Sequence, residues 1–231
     1  MSEAESTATY AMRSSPRNLS MTEQVYHLLK EDILLARWKP DSSLVESELA
    51  QLYRMSKTPV REALRLLVRD GLVTVLPRKG YLVRSISLGD TREIFGLRNM
   101  IEPELATDAA RFASEAGIAK LSALVTRQRE ESDLDASLNA ARLFHLEIAE
   151  QAHNQRAAQV LLGLLDEIRR LHHLMPSVEG HIWSNEEVGA HAEILSAVQA
   201  RDTARARELM KRHLDEVSRT MLSSLTSVRL A

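Results

Sequence analysis

Cysteine is absent from this chain of 231 residues, which excludes disulfide bonds, thiolate metal sites and cysteine nucleophiles. Aromatic residues make up only 4% of the sequence, and the eight glycines form no Gly-rich phosphate loop. Long apolar runs are also missing, so no segment is suited to crossing a bilayer. The N-terminus lacks the apolar core of a signal peptide. These absences predict a globular protein without a membrane segment, in the reducing cytoplasm.

Charge is unevenly distributed, although the formal net charge is only −2. Residues 54–84 contain eight Lys and Arg against two Asp and Glu, a local net charge of +6. Residues 87–231 contain 17 Lys and Arg against 22 Asp and Glu, a net charge of −5. The length and this change of sign favour two domains, a basic one suited to nucleic acid and a mildly acidic one with another task.

Residues 47–83 have the pattern of two helices separated by a tight turn and followed by a short hairpin. Ser56 or Thr58 can cap the second helix, Pro59 fits its first turn, and Gly71 ends it. The buried side of that helix is an apolar stripe, whereas the other side is a ladder of cations. The cations are Lys57, Arg61, Arg65 and Arg69. A helix of this kind followed by a basic hairpin predicts a winged helix-turn-helix that enters the major groove of DNA; the alternative is an ordinary solvated helix face.

The rest of the chain shows helical periodicity and none of the alternation typical of strands. We predict a mainly α protein with a disordered tail at 1–18, a winged helix-turn-helix at 19–84 and a linker at 85–89. An all-helical antiparallel bundle should follow at 90–226. Its six helices are expected at roughly 90–112, 116–131, 136–152, 155–174, 184–200 and 202–226.

Several motifs resemble a known family. SKTPVREAL (56–64), DGLV (70–73) and RKGYLV (78–83) are similar to the DNA-binding domain of the GntR superfamily of bacterial transcription regulators. LRNMIEPELATDAA (97–110), FHLEIAEQAHN (144–154) and AHAEILSAVQARD (190–202) resemble the FCD effector domain of its FadR-type branch. Six helices instead of seven resemble the VanR-like subgroup.

The residues expected to read DNA lie in the second helix and the hairpin. Arg61 can bond a guanine edge with two hydrogen bonds, whereas Lys57, where the family usually has arginine, offers a single point charge. Gly80 at the wing tip lets the backbone approach the minor groove, and Arg78 and Lys79 are suited to phosphate. The full predicted set is Lys57, Thr58, Arg61, Arg65, Arg78, Lys79 and Gly80.

Three histidines, His145, His191 and His213, occupy the apolar stripes of three different helices. Converging imidazoles suit a divalent ion such as Zn²⁺ or Ni²⁺, and the alternative is a polar pocket without metal. The family resemblance implies metal binding by an aspartate and three histidines, and these residues match the histidines. Ala141 stands where the family has the aspartate, so the site would lack that anionic ligand.

Arg98 is a further candidate site residue, because its place on the stripe of the first bundle helix points it inward. A buried arginine needs an anionic partner, which can be Glu102 or the carboxylate of a small organic acid effector. The resemblance implies a homodimeric, ligand-responsive regulator, more often a repressor, that binds an inverted repeat in double-stranded DNA. A metal-sensing regulator and a three-histidine metalloenzyme fused to a DNA-binding domain remain as alternatives.

Overall fold

A computed structural model describes residues 19–77, 80–175 and 185–228, except for the side chains of residues 185, 227 and 228. The chain divides into two compact units at the junction between Ile86 and Ser87, and each is described by itself below. Within the described ranges, no helix combines the length and hydrophobicity needed to cross a bilayer.

The first unit contains three helices and three short strands in its described part. In chain order they are α1 (Met21–Leu34), β1 (Ser43–Leu44), α2 (Glu46–Leu52), α3 (Lys57–Arg69), β2 (Val73–Leu76) and β3 (Gly80–Val83). The strands form one antiparallel sheet in the order β1-β3-β2. The hairpin agrees with the sequence prediction, whereas β1 was not predicted. The unit is therefore a winged helix-turn-helix with an additional two-residue strand beside the wing.

Local sequence signals set the boundaries of these helices. Ser20 and Glu23 form a capping box at the start of α1, which satisfies two backbone N–H groups. The helix α2 begins after Val45 and has no side-chain cap. Arg54, between α2 and α3, has a φ of 53°, so the turn contains a residue in the left-handed region. Gly71, with a φ of 75°, follows α3, where a glycine costs no steric strain.

The core of the first unit forms between α1 and the apolar stripe of α3. Because apolar residues recur every three or four positions on both helices, each helix packs one apolar face against the other. The cationic positions of α3 remain on the outside. The fully buried core side chains include Val25, Leu29, Ile33, Leu44, Val60, Leu64, Leu67 and Val83.

The second unit is a helical bundle. Its described helices are α4 (Leu88–Phe112), α5 (Glu115–Glu130), α6 (Leu134–Gln151), α7 (Gln155–Leu174), α8 (Asn185–Gln199) and α9 (Thr203–Val228). Each boundary lies within two residues of its predicted position, and the mainly α fold class is confirmed. The predicted linker at 85–89 is too long, because Ser87 and Asp90 form a capping box that starts α4 at Leu88.

Packing in the bundle brings the histidine-bearing helices around α4. This helix contacts α6, α7, α8 and α9, while α5 packs against α6 and α8. The apolar core includes Leu105, Leu121, Phe144, Ile148, Leu161 and Leu214. Phe144 of this core stacks on the ring of His191 with 4.6 Å between the ring centroids, so the polar site described below adjoins the core.

Candidate functional site

The predicted DNA-reading residues of α3 lie on an exposed face. Lys57, Thr58, Arg61 and Arg65 are exposed, and the first two occupy the first turn of the helix. Val60 and Leu64, which lie between them in sequence, are fully buried. The helix is thus fixed to the core along one side and presents cations on the other, as a recognition helix requires.

Arg61 makes an ion pair that sequence reasoning missed. Its Nε donates to both carboxylate oxygens of Glu46 on α2 at 2.9 and 3.0 Å, and its Nη2 donates to Oε2 at 2.8 Å. The hydrogen bond from Arg61 lowers the pKa of Glu46. The guanidinium of Arg61 is therefore oriented before any DNA arrives.

Gly80 is required by the backbone of the wing. It has a φ of 96°, and a Cβ atom there would lie 3.4 Å from the carbonyl oxygen of Leu44 on β1. The neighbouring strand thus approaches closely on the side where a side chain would point. Arg78 and Lys79, also predicted to contact DNA, lie outside the described residues.

The structure brings the three predicted histidines together in the bundle. The Nε2 atom of His191 lies 3.2 Å from that of His145 and 3.3 Å from that of His213, and the third pair is also 3.3 Å apart. All three side chains are buried, and α6, α8 and α9 supply one each. Three nitrogen atoms from three helices therefore form a nearly equilateral triangle.

The outer nitrogen atoms of two rings, His145 and His191, face an oxygen atom at hydrogen-bond distance. Nδ1 of His145 lies 2.5 Å from Glu102 Oε2, and Nδ1 of His191 lies 2.7 Å from Gln128 Oε1. Because a carboxylate or an amide oxygen only accepts, both rings carry a proton on Nδ1. When such a ring is neutral, its Nε2 bears a lone pair directed into the triangle.

This arrangement fits a metal ion. Nitrogen atoms bonded to one tetrahedral zinc ion at about 2.0–2.1 Å lie about 3.3–3.4 Å apart, close to the spacing of this triangle. Lone pairs 3.2 Å apart repel each other unless a cation or a proton lies between them. Outer-shell acceptors that fix the tautomer are also typical of metal-binding histidines. His145, His191 and His213 can therefore hold a divalent ion.

Burial keeps two of these rings in the form that binds metal. Desolvation, followed by the positive charges of neighbouring groups, holds the pKa of His191 and that of His213 well below the ordinary value. Both are therefore neutral at pH 7, and a neutral imidazole is the ligand form.

Arg98 points inward as predicted, and its partner within the chain is Glu102. The arginine is 2% exposed, and its Nε donates to Glu102 Oε1 at 2.5 Å. Burial opposes ionisation of Glu102, but Arg98 and His145 outweigh it and lower its pKa to about 2. The carboxylate thus joins the candidate effector residue to a candidate metal ligand.

Glu187 is a second carboxylate at the site. Its Oε1 lies 3.9 Å from His191 Nε2, and its Oε2 lies 3.8 Å from His213 Nδ1. The side chain is 13% exposed. Desolvation, opposed by Arg98 and reinforced by Glu216, raises the pKa of Glu187 to about 7.

Sequence reasoning named the histidines and Arg98 as site residues but missed most of the groups around them. Glu102 was considered only as the partner of Arg98, whereas Gln128 and Glu187 were not considered. One usable signal was the spacing of Glu187 and His191, because residues four apart share a helix face. No comparable signal marks Gln128, whose contact joins α5 to α8.

Two known protein families match the chain. The bacterial regulatory proteins of the gntR family match residues 21–83, and the FCD domain matches residues 93–216. The chain therefore belongs to the GntR family, in the branch that carries an FCD domain. It is a DNA-binding transcription regulator and not an enzyme, so the metalloenzyme alternative is set aside.

Curated relatives and solved structures agree with this membership. The chain is 35% identical over 201 residues to the HTH-type transcriptional repressor GlaR of Escherichia coli, covering 82% of this chain and 90% of GlaR. It is 28% identical over 205 residues to the repressor RspR of the same organism, covering 87% and 89%.

Among solved structures, Escherichia coli McbR/YncC matches with a TM-score of 0.76 and 24% identity, over 88% of this chain and 97% of that one. A putative GntR regulator from Rhodococcus sp. RHA1 matches with a TM-score of 0.77 and 23% identity, over 89% and 99%. These likenesses establish the fold.

Proposed function

We propose that this protein is a homodimeric repressor whose binding to an inverted-repeat operator in the bacterial cytoplasm is modulated by a small carboxylic acid. The observation that carries the proposal is the convergence of three histidine nitrogens beside Arg98, in a chain whose other unit exposes a cationic recognition helix. The relatives GlaR and RspR are both named as repressors, which supports repression over activation.

In this proposal His145, His191 and His213 hold a divalent ion, with Zn²⁺ or Ni²⁺ the best suited. Such an ion supplies open coordination positions and positive charge for an effector carboxylate. Arg98 supplies a second cationic group, and because Glu102 holds it, an effector must share that guanidinium. Neutral molecules of the same size should therefore bind more weakly than acids.

Exposed apolar side chains in the second unit support the homodimer. Leu97 and Met100, three residues apart on one face of α4, are 44% and 74% exposed. Neighbouring solvent-facing leucine and methionine side chains are typical of a surface that another protein covers. A second copy related by a twofold axis would place two DNA-binding domains on one inverted repeat.

A metal-sensing regulator is the second candidate, because the three histidines offer three neutral nitrogen ligands to an ion without any organic acid. In that case the affinity for DNA should follow the metal concentration without any organic acid. In the favoured case an acid should change the affinity at a constant metal concentration.

A gel-shift titration on the upstream region of the chain's own gene tests the proposal. The protein should shift this DNA more strongly than a scrambled fragment, and a panel of small acids with Zn²⁺ should identify one that weakens the shift. A Lys57→Ala/Arg61→Ala double variant should lose the preference. Equal binding to the upstream and scrambled fragments, or no response to any acid or metal, would contradict the proposal.

A further inference from the structure

Ala141 leaves the proposed metal site without the carboxylate that the family resemblance implies. It is half-buried on α6, one turn before His145, and its methyl group offers neither a ligand atom nor a charge. Three neutral histidines would leave both charges of a divalent ion uncompensated in a buried place. Burying an unpaired charge is costly, so the site needs an anion from elsewhere.

Glu102 serves this purpose poorly, because its charge is already shared. Its two oxygens face Arg98 and His145 at 2.5 Å each. The Arg98–Glu102 pair is neutral as a unit, so it adds no net negative charge to the site. Another carboxylate must therefore provide the compensation.

Glu187 is placed to provide it. One oxygen lies 3.9 Å from Nε2 of His191, which is one corner of the nitrogen triangle, and the other lies 3.8 Å from Nδ1 of His213. Glu187 also precedes His191 by four residues on α8, the same spacing as between Ala141 and His145 on α6. A carboxylate at this spacing lies on the same helix face, one turn earlier.

We propose that Glu187 is the carboxylate partner of the three-histidine site and supplies the negative charge that Ala141 cannot. The inference rests on the proposed binding of metal. The oxygens of Glu187 lie 3.8 and 3.9 Å from nitrogen atoms of two of the three rings, so its charge balances that of the ion. An ionised carboxylate and a divalent ion each offset the desolvation cost of the other.

The test is the affinity of the purified full-length protein for Zn²⁺ and Co²⁺, measured by competition with a chromogenic chelator. Glu187→Gln keeps the shape of the side chain and removes its charge, and should weaken binding about tenfold to a hundredfold. Glu186→Gln is the matched control, because Glu186 is its exposed neighbour on α8, and should leave the affinity unchanged.

A rescue variant separates a charge effect from a merely structural one. Ala141→Asp in the Glu187→Gln background should restore most of the lost affinity, because it supplies the charge from a different helix. Ala141→Asp alone should gain less than about tenfold, since Glu187 already serves the site. The Ala141→Asp variant alone therefore tests the role of Glu187 even if Glu187→Gln fails to fold.

Equal metal affinity in wild type and Glu187→Gln would overturn the inference while leaving metal binding intact. A hundredfold gain from Ala141→Asp alone would overturn it as well, because it would mean that the site lacked an anion. A wild-type protein that binds neither ion overturns both this inference and the proposed metal site. DNA binding is measured separately by gel shift, so these metal affinities do not decide whether the protein regulates transcription.

Discussion

At the scale of single residues, the ion pair between Arg61 and Glu46 changes how the recognition helix should read DNA. An arginine reads guanine with two N–H groups in one plane, and here Nε and Nη2 are both engaged by Glu46. In the proposed reading of DNA by Arg61, the guanidinium would therefore present a fixed edge to the groove. The ion pair reduces the number of Arg61 rotamers that DNA binding would have to order, and it places a carboxylate beside the guanidinium.

Replacing Arg61 tests its assignment as a base-reading residue. Arg61→Ala should cost about 1–3 kcal/mol of operator binding and relax the preference for one base pair. The matched control is Arg69→Ala at the other end of α3, a cation whose side chain is 72% exposed. Affinities for operator and random DNA should be measured at one salt concentration. An equal loss on both DNAs would assign Arg61 to the phosphates instead.

Two glycines give opposite expectations for the same substitution. Gly80→Ala should destabilise the first unit by about 1–2 kcal/mol, because its φ of 96° suits only a residue without a Cβ. Gly96→Ala should stabilise α4 by up to about 1 kcal/mol, since nothing lies within 4 Å of the added atom. Urea unfolding of each variant measures the difference. A neutral effect of Gly80→Ala would show that the wing adopts another backbone conformation.

At the scale of elements, helical periodicity carries most of the information in the sequence. The bundle helices could be predicted because each repeats apolar residues over many turns, and some starts carry a typical capping residue, as Asn154 does for α7. The strand β1 could not be predicted, because its two residues, Ser43 and Leu44, are too few to show the alternation of apolar and polar residues that is typical of a strand. Its existence depends on pairing with Leu82 and Tyr81, which are distant in sequence.

The candidate site shows the same division between local and long-range information. A histidine within an apolar stripe is visible in one helix, so His145, His191 and His213 could be selected from the sequence. The contacts of Glu102 with His145 and of Gln128 with His191 join different helices. Such contacts depend on how the helices pack, which the pattern within one helix does not determine.

The link between α6 and α7 should depend on pH. Asp135 accepts hydrogen bonds from Arg169 Nη2 at 2.8 Å and contacts His173 Nε2 at 3.2 Å. His173 first, and then Arg169, lower the pKa of Asp135 to about 2, from an ordinary value of 3.8. A lowered carboxylate pKa stabilises the fold above the unfolded value and loses that contribution as the pH falls towards the folded one.

Asp135→Asn should therefore destabilise the bundle above about pH 4, and the difference from wild type should shrink between pH 3.8 and pH 2. The effect should be at most about 1 kcal/mol, because the carboxylate is 40% exposed. Urea midpoints across this range give the measurement, with Asp215→Asn at an exposed position of α9 as the control. A difference that stays constant down to the lowest pH at which the protein folds would mean that Asp135 does not act through its charge.

At the scale of the whole molecule, a basic DNA-binding domain is joined to a mildly acidic helical bundle in one chain. A single DNA-binding domain of this size makes few base contacts, so useful specificity requires two copies on one operator. The proposed dimer surface on α4 thus links the second unit to DNA binding by the first. Loss of the dimer should weaken operator binding even though no DNA-contacting residue changes.

Met100 is the most direct place to test this coupling, because it is 74% exposed on α4 and is not one of the site residues described above. Met100→Glu would bury two like charges across a twofold interface, which is costly. It should convert the dimer to monomer in sedimentation equilibrium and reduce affinity for the full inverted repeat at least tenfold. Affinity for a single half-site should stay unchanged.

Met100→Leu, which keeps an apolar side chain, should remain dimeric and bind the full operator like wild type. A Met100→Glu protein that stays dimeric would place the interface on another face of the bundle.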